Sequence, residues 1–247
     1  MTSVADNSNP ALAVTMAGLP SPTRYSSGGP APERGTVNRL FFGAIERLDS
    51  AVALQHKVRG VWESIPHRTV LERVRRTAFG LRALGVSSGD RVAILSENRP
   101  EWAIADYACI TSGVTDVPVY STLPAEQILF ILNDSGAKVA FVSTPDQARK
   151  LASIRDQVPG LQHVIGFAAT KEDGCDMTLS ELETLGSRDD SPTAAAAYRE
   201  AALAVSPDAL LTLIYTSGTT GTSSPLSRSW NRDASLYGNS ISAGSST

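Results

Sequence analysis

Between Thr36 and Tyr215 the apolar positions alternate between two rhythms. Val37, Leu40, Phe41, Ala44, Ile45 and Leu48 follow the i, i+3, i+4, i+7 spacing of a one-faced helix. Ala51–Lys57 and Val61–Ile65 read as two short strands turned at Arg59-Gly60, with Pro66 closing the second. Thr69 and Glu72 fit a capping box for a helix that runs to about Leu84 and stops at Gly85. Val92–Leu95 is a short apolar strand. Pro100 suits the first turn of a helix whose apolar side runs from Trp102 to Ile110. Val117–Tyr120 is strand-like, and Pro124 opens a helix through Leu132 that stops near Ser135-Gly136. Val139–Ser143 is a strand, and Thr144, Pro145 and Gln147 start a helix that ends before Pro159-Gly160. His163–Phe167 is a strand, and Thr178 and Glu181 cap a short helix that stops at Gly186. Residues 187–193 read as a loop, Ala194–Val205 as helix by propensity, and Leu210–Tyr215 as an apolar strand.

Repeated strand–helix–strand units with near-continuous apolar strands predict an α/β fold. The expected architecture is a mostly parallel sheet with helices on both faces and right-handed crossovers. Ligands of such sheets sit beyond the carboxyl ends of the strands, which directs attention to the residues after Tyr215. Three segments follow from the pattern. Residues 1–35, rich in proline and serine and without periodicity, read as a disordered tail. Residues 36–221 carry the folded unit. Residues 222–247 are serine-rich, hold no recognisable strand and read as a second disordered tail.

Composition narrows the function. Of 247 residues, 42% are hydrophobic and 19% charged, so a sizeable core can form. The net charge of −3 excludes a bulk basic footprint for nucleic acid. Cys109 and Cys175 cannot make a disulfide framework in a chain of this length. No apolar run approaches the roughly 18–20 residues that span a bilayer, and no apolar leader precedes Arg24. A soluble, cytoplasmic chain is the expectation.

The candidate chemistry lies in Thr216-Ser217-Gly218-Thr219-Thr220-Gly221-Thr222. Gly218 and Gly221 permit positive φ and close approach to a ligand. Consecutive backbone N–H groups there can form an anion-binding nest, and the hydroxyls add donors. Composition alone fits a Ser/Thr/Gly linker equally well. The buried-looking strand just before it favours a loop that grips a polyphosphate.

Tyr215-Thr216-Ser217-Gly218-Thr219-Thr220-Gly221 resembles the signature loop of the AMP-forming adenylating enzymes: acyl-CoA synthetases, luciferases and the adenylation domains of peptide synthetases. Upstream, Gly89–Trp102, Val117–Gln127 and Asn133–Lys138 are similar to segments of long-chain fatty acyl-CoA synthetases, in the right order. The resemblance covers about residues 36–221. It implies ATP, Mg²⁺ and coenzyme A as cofactors and a fatty acid as substrate. A carboxylate would attack the α-phosphate of ATP to give acyl-adenylate and pyrophosphate, and a thiol would then take the acyl group. The loop would embrace the β- and γ-phosphates, since such chemistry needs positioning and charge stabilisation above all.

The match breaks abruptly. The family's loop continues with Pro-Lys-Gly, whereas this chain reads Ser223-Ser224-Pro225, so its lysine position is Ser224. A frameshifted or truncated reading after Gly221 is the expectation. The resemblance places the adenine pocket, the ribose-binding acid, the hinge and the adenylation lysine further along. No catalytic residue is therefore assigned, and the chain as written is expected to lack synthetase activity. An open apolar strand edge and insolubility should follow. Two other readings stay open: a non-catalytic nucleotide- or anion-binding module, and an adenylation-domain remnant of a carboxylic acid reductase or peptide synthetase.

Other residues read more plainly. Gly85-Val86-Ser87-Ser88-Gly89 fits G-x-S-x-G, but it follows a helix and precedes a strand, the reverse of a nucleophile elbow. His56, His67 and His163 lack metal-ligand spacing, and neither cysteine has a zinc pattern, so no metal site is assigned. Arg68, Arg73, Arg75, Arg76 and Arg82 could meet an anionic membrane or coenzyme A, making peripheral membrane association possible. A solvated face opposite Leu71, Val74, Ala78 and Leu81 is the plainer reading. Trp62 and Trp102 are expected to pack.

Overall fold

A computed structural model describes residues 35–48, 51–216 and 224–228. The first helix, α1 (Val37–Leu48), starts where the pattern places it. Its buried face is Asn38, Phe41 and Phe42, while Leu40 and Leu48 are exposed. The helix is turned by its polar anchor, because Asn38 Nδ2 donates to the carbonyls of Ile110 and Ala202. β1 (Leu54–Val58) and β2 (Val61–Ile65) form an antiparallel hairpin turned by Arg59 and Gly60, both at positive φ.

α2 (His67–Ala83) begins one turn earlier than the expected capping box. Pro66 takes the N-cap position with no side-chain cap, and Glu72 pairs with Arg76 one turn on. Gly85 closes the helix at φ 84°. A strand and helix then alternate: β3 (Arg91–Leu95), α3 (Pro100–Thr111), β4 (Thr115–Val119), α4 (Ala125–Ser135), β5 (Val139–Val142), α5 (Pro145–Ala152) and β6 (His163–Gly166). Thr144 caps α5 as expected, its hydroxyl accepting from the Gln147 amide. Thr178 and Glu181 form the full capping box of α6 (Leu179–Ser187). Just before it lies β7 (Met177–Thr178), too short to register as a pattern. α7 (Pro192–Leu203) starts two residues before the predicted helix because Ser191 caps it and Pro192 opens it. β8 spans Thr212–Thr216.

The main sheet has the order β7-β6-β5-β3-β4-β8, extended at one edge by β9 (Ser224–Arg228). Every pairing from β7 to β8 is parallel, and β8–β9 is antiparallel. β9 corrects the reading of residues 222–247 as strand-free. It pairs with β8 from Thr212↔Arg228 to Thr216↔Ser224, so β8 is not an open edge as expected. Backbone ladder bonds, not side-chain pattern, drive this pairing, which is why a serine- and proline-containing run can supply it.

One layer of core packs α4 and α5 against the sheet through Ile128, Leu132, Ala148 and Leu151. The opposite face is covered by α2, α3 and α6 through Leu81, Ala105, Cys109, Leu179 and Leu182, with α1 and α7 outside. Trp102 packs there as expected, whereas Trp62 is exposed.

The arginine-rich helix keeps Arg68 and Arg82 exposed, as a solvated face would, but its other arginines are engaged with acidic groups. Arg73 reaches Glu183 at 3.0 Å, and Arg75 chelates Asp190 at 2.6 and 3.0 Å. Arg76 lies 3.4 Å from Asp190 and Arg82 3.6 Å from Asp189. These pairs clamp α2 to α6 and the turn after it. Two glycines let the helices touch: a Cβ at Gly186 would sit 1.9 Å from the Arg76 carbonyl oxygen, and one at Gly80 would sit 2.5 Å from that of Leu182.

Candidate functional site

Strand order places the site. β3 leads into α3 on one face of the sheet, and neighbouring β4 leads into α4 on the other. Their connections diverge at the carboxyl edge, which is where ligands of such sheets bind. β8 lies beside β4 and ends at Thr216 on this same edge. The candidate phosphate loop thus departs from the sheet where a ligand crevice is expected. Thr216 is its one described residue. Ser217, Gly218, Thr219, Thr220, Gly221 and Thr222 lie outside the described residues, as do residues 1–34 and 229–247 of the expected tails. Ser224, at the family's lysine position, stands in register with Thr216.

The edge around Thr216 is pinned by groups that the motif reading did not single out. Tyr215, buried just before the loop, donates its hydroxyl to Asp134 Oδ2 of α4 at 2.7 Å and meets Phe130 edge-on. Burial and the neighbouring Asp134 carboxylate push its phenol well above the usual range. After β4, the loop at Ser121–Leu123 is held by α5: Gln147 Nε2 and Lys150 Nζ donate to the Ser121 carbonyl at 3.0 and 2.9 Å, and Lys150 also reaches Leu123 O at 3.0 Å.

After β3, Arg99 ties three strand ends together. Its Nη1 donates to Ser143 O beyond β5 at 3.0 Å, its Nε to Glu101 Oε2 at 2.7 Å, and its guanidinium lies 5.5 Å over the Phe167 ring beyond β6. Hydrogen bonding from Ser143 first, then from its own backbone amide and Ser121, holds the Glu97 carboxyl below the usual range against its partial burial. Glu97 and Arg99 belong to the Ser96–Pro100 run quoted for the resemblance. Their position just past an apolar strand was the signal that could have marked them. Tyr120 stands exposed at the end of β4. The arrangement is a rigid polar rim. Among the described residues it holds no paired nucleophile and base.

The other sequence candidates fall elsewhere. Gly85 and Gly89 are turn residues at positive φ, and the Ser87 amide donates to Asp90, so the G-x-S-x-G run is a helix stop and turn as expected. Cys109 and Cys175 are free and buried. Among the described residues no three His, Cys, Asp or Glu side chains converge as a metal site. No described helix is long and apolar enough to cross a membrane.

Sequence reasoning also missed a buried acid pair. Asp116 on β4 and Asp106 on α3 lie against each other at the amino-terminal half of the sheet, away from the carboxyl edge. Burial raises Asp116 to about 7 and Asp106 well above the carboxylate range, with the Asp116 charge adding to the latter. Their placement removes them from chemistry at the rim.

Comparison with known proteins agrees with this geometry. The chain is 39% identical over 196 residues to the long-chain-fatty-acid–CoA ligase FadD15 of Mycobacterium tuberculosis, a match covering 78% of this chain and 31% of that protein. It is 30% identical over 192 residues to the human long-chain-fatty-acid–CoA ligase ACSBG1, covering 75% of this chain and 25% of that one. The chain therefore spans about a third or less of the curated relatives it matches. Its fold superposes on the N-terminal domain of FACL13 from Mycobacterium tuberculosis with a TM-score of 0.61 and 26% identity, over 78% of this chain and 44% of that structure. The profile of the family described as AMP-binding enzyme matches residues 42–223, ending inside the segment between β8 and β9. With that match over most of its length, its parallel sheet and the signature motif following β8, the chain belongs to the AMP-binding enzyme family.

Proposed function

We propose that the chain is the N-terminal, phosphate-gripping part of an ATP-dependent, AMP-forming long-chain fatty acyl-CoA synthetase. The observation that supports this reading is that β8, beside β4 in the sheet, ends on the carboxyl edge at Thr216, the first residue of the motif that the sequence continues to Thr222. Backbone N–H groups and hydroxyls of Thr216, Ser217, Gly218, Thr219, Thr220, Gly221 and Thr222 would bind the β- and γ-phosphates of ATP. Mg²⁺ would travel with those phosphates and offset their charge. With the triphosphate held, a fatty carboxylate attacks the α-phosphorus, the bond to pyrophosphate breaks, and the thiolate of coenzyme A then displaces AMP from the acyl-adenylate. This chain's part is binding and orientation: Tyr215 and Asp134 fix the root of the loop, while Arg99 and Lys150 fix the rim around it. Residues 36–221 form the adenylating portion on this reading, and its compartment is the cytoplasm.

Ser224 at the lysine position leaves the loop without a cation, which supports a second reading, a nucleotide- or anion-binding module without turnover. Calorimetric titration with ATP and with pyrophosphate, followed by fatty-acid-dependent ATP–pyrophosphate exchange, tests both. Binding that Gly218→Val and Gly221→Val abolish supports the phosphate loop. No binding of either ligand overturns it. Binding without exchange is the expected result for residues 1–247 alone, and robust exchange would show that the adenylation step needs nothing beyond them.

A further inference from the structure

We propose that the tip of the β1–β2 hairpin is a docking element for anionic lipid surfaces. The hairpin is fixed at its base and bare at its tip. Leu54 and Ile65 pack against the core between α1, α2 and α3, and the Ala53 amide donates to the Ile65 carbonyl at 2.8 Å. Beyond that base the second strand leaves the protein surface: Val61 is 65% and Trp62 63% exposed. Register puts Lys57 opposite Trp62 on one face of the hairpin and Val58 opposite Val61 on the other, next to the turn. The Lys57 ammonium lies 5.9 Å from the Trp62 ring centroid. Arg59 occupies the turn itself, at φ 49° beside Gly60 at 88°.

Charge complementarity selects the occupant. Lys57 and Arg59 face no acidic partner among the described residues, while Glu63 is met by His56 Nε2 at 3.7 Å. Two cations beside an exposed tryptophan and valine match a bilayer interface, where the indole sits among headgroups with its N–H wet and the cations meet lipid phosphate. A standard protein interface takes about 20–30 residues a side, far more than this tip presents. Arg73, Arg75, Arg76 and Arg82 of α2 are engaged with acidic groups and do not compete for this role. The inference rests on the hairpin alone, so failure of vesicle binding leaves the adenylating reading untouched, and failure of ATP binding leaves this one untouched.

Flotation of the 247-residue chain with phosphatidylcholine vesicles, with and without phosphatidylglycerol, tests it. Binding is expected with phosphatidylglycerol and should weaken as salt rises. The pair Val61→Ala/Trp62→Ala and the pair Lys57→Glu/Arg59→Glu should each weaken binding by about tenfold. Circular dichroism should be unchanged, because all four side chains lie outside the core. No binding to phosphatidylglycerol vesicles, or equal binding by the variants, overturns the proposal. So does a lipid-free dimer that Val61→Ala/Trp62→Ala dissociates, since a second copy would then be the occupant.

Discussion

Thr212 of β8 donates its hydroxyl to Asp116 Oδ2 of β4 across 3.1 Å, at the one residue pair where these strands stand in bridged register among the described residues. The Asp116 amide adds a bond to Leu211 O, and Thr115 Oγ1 one to Leu210 O. The strand that carries the candidate loop is therefore docked onto the sheet through a buried carboxyl group. Its other oxygen, Oδ1, finds no donor among the described residues, and burial beside Asp106 favours a protonated carboxyl in the pair.

That proton sets a pH dependence. Asp116 titrates at about 7 when folded against 3.8 for a free side chain, so the folded state holds the extra proton between these values. The pair's contribution to stability is fully present below about pH 4 and is lost as pH rises through about 7. Urea unfolding at pH 5 and pH 8 should show the wild-type chain losing about 2–4 kcal/mol more than Asp116→Asn over this interval. Equal slopes for the two would show that the pair is not protonated.

Tyr215→Phe removes the 2.7 Å bond to Asp134 and leaves the ring packed on Phe130. A loss of about 1–2 kcal/mol in chemical denaturation is expected. Affinity for ATP should also fall, because the root of the loop is no longer anchored. Unchanged stability and unchanged affinity together would sink the anchoring role.

Gly186→Ala should cost about 2–4 kcal/mol, because its Cβ would overlap the Arg76 carbonyl and α2 and α6 would have to separate. Gly43→Ala is the opposite case. Its Cβ meets nothing within 4 Å inside α1, and a gain of about 0.5–1 kcal/mol is expected from the lost freedom of glycine. Melting temperatures of the two variants should move in opposite directions.

Asp190→Asn leaves Arg75 and Arg76 facing a neutral amide. The Arg75 hydrogen bond is the main cause of the lowered Asp190 carboxyl, so its stabilisation is present above the free carboxylate pKa and is lost as pH falls through the depressed one. A cost of about 2–3 kcal/mol is expected at pH 7, shrinking as the pH falls below the free carboxylate range, read by denaturant unfolding. A cost independent of pH would mean that the clamp works by shape and not by charge.

The alternation of strand and helix was legible because apolar period and capping residues are local. Thr178 with Glu181, Thr144 with Gln147 and Pro100 each start their helix where the sequence says. The motif after Tyr215 was legible for the same reason, since glycines and hydroxyls at fixed spacing state their chemistry without a fold. What failed was pairing at a distance. Arg73, Arg75 and Arg76 of α2 read as part of a solvated face because Glu183 and Asp190 lie more than a hundred residues on. β9 was invisible because its strand character comes from the ladder with β8 and not from its own side chains.

The sequence by itself determined the parallel α/β class, the place of the candidate loop at a strand end and the family of the chain, all carried by short-range spacing. Only the tertiary structure decided that Arg99, Lys150 and the Tyr215–Asp134 pair pin the rim, that a carboxyl pair lies beneath β8, and that Trp62 is exposed. Those outcomes depend on which distant groups share a buried volume, and burial is a property of the packed chain.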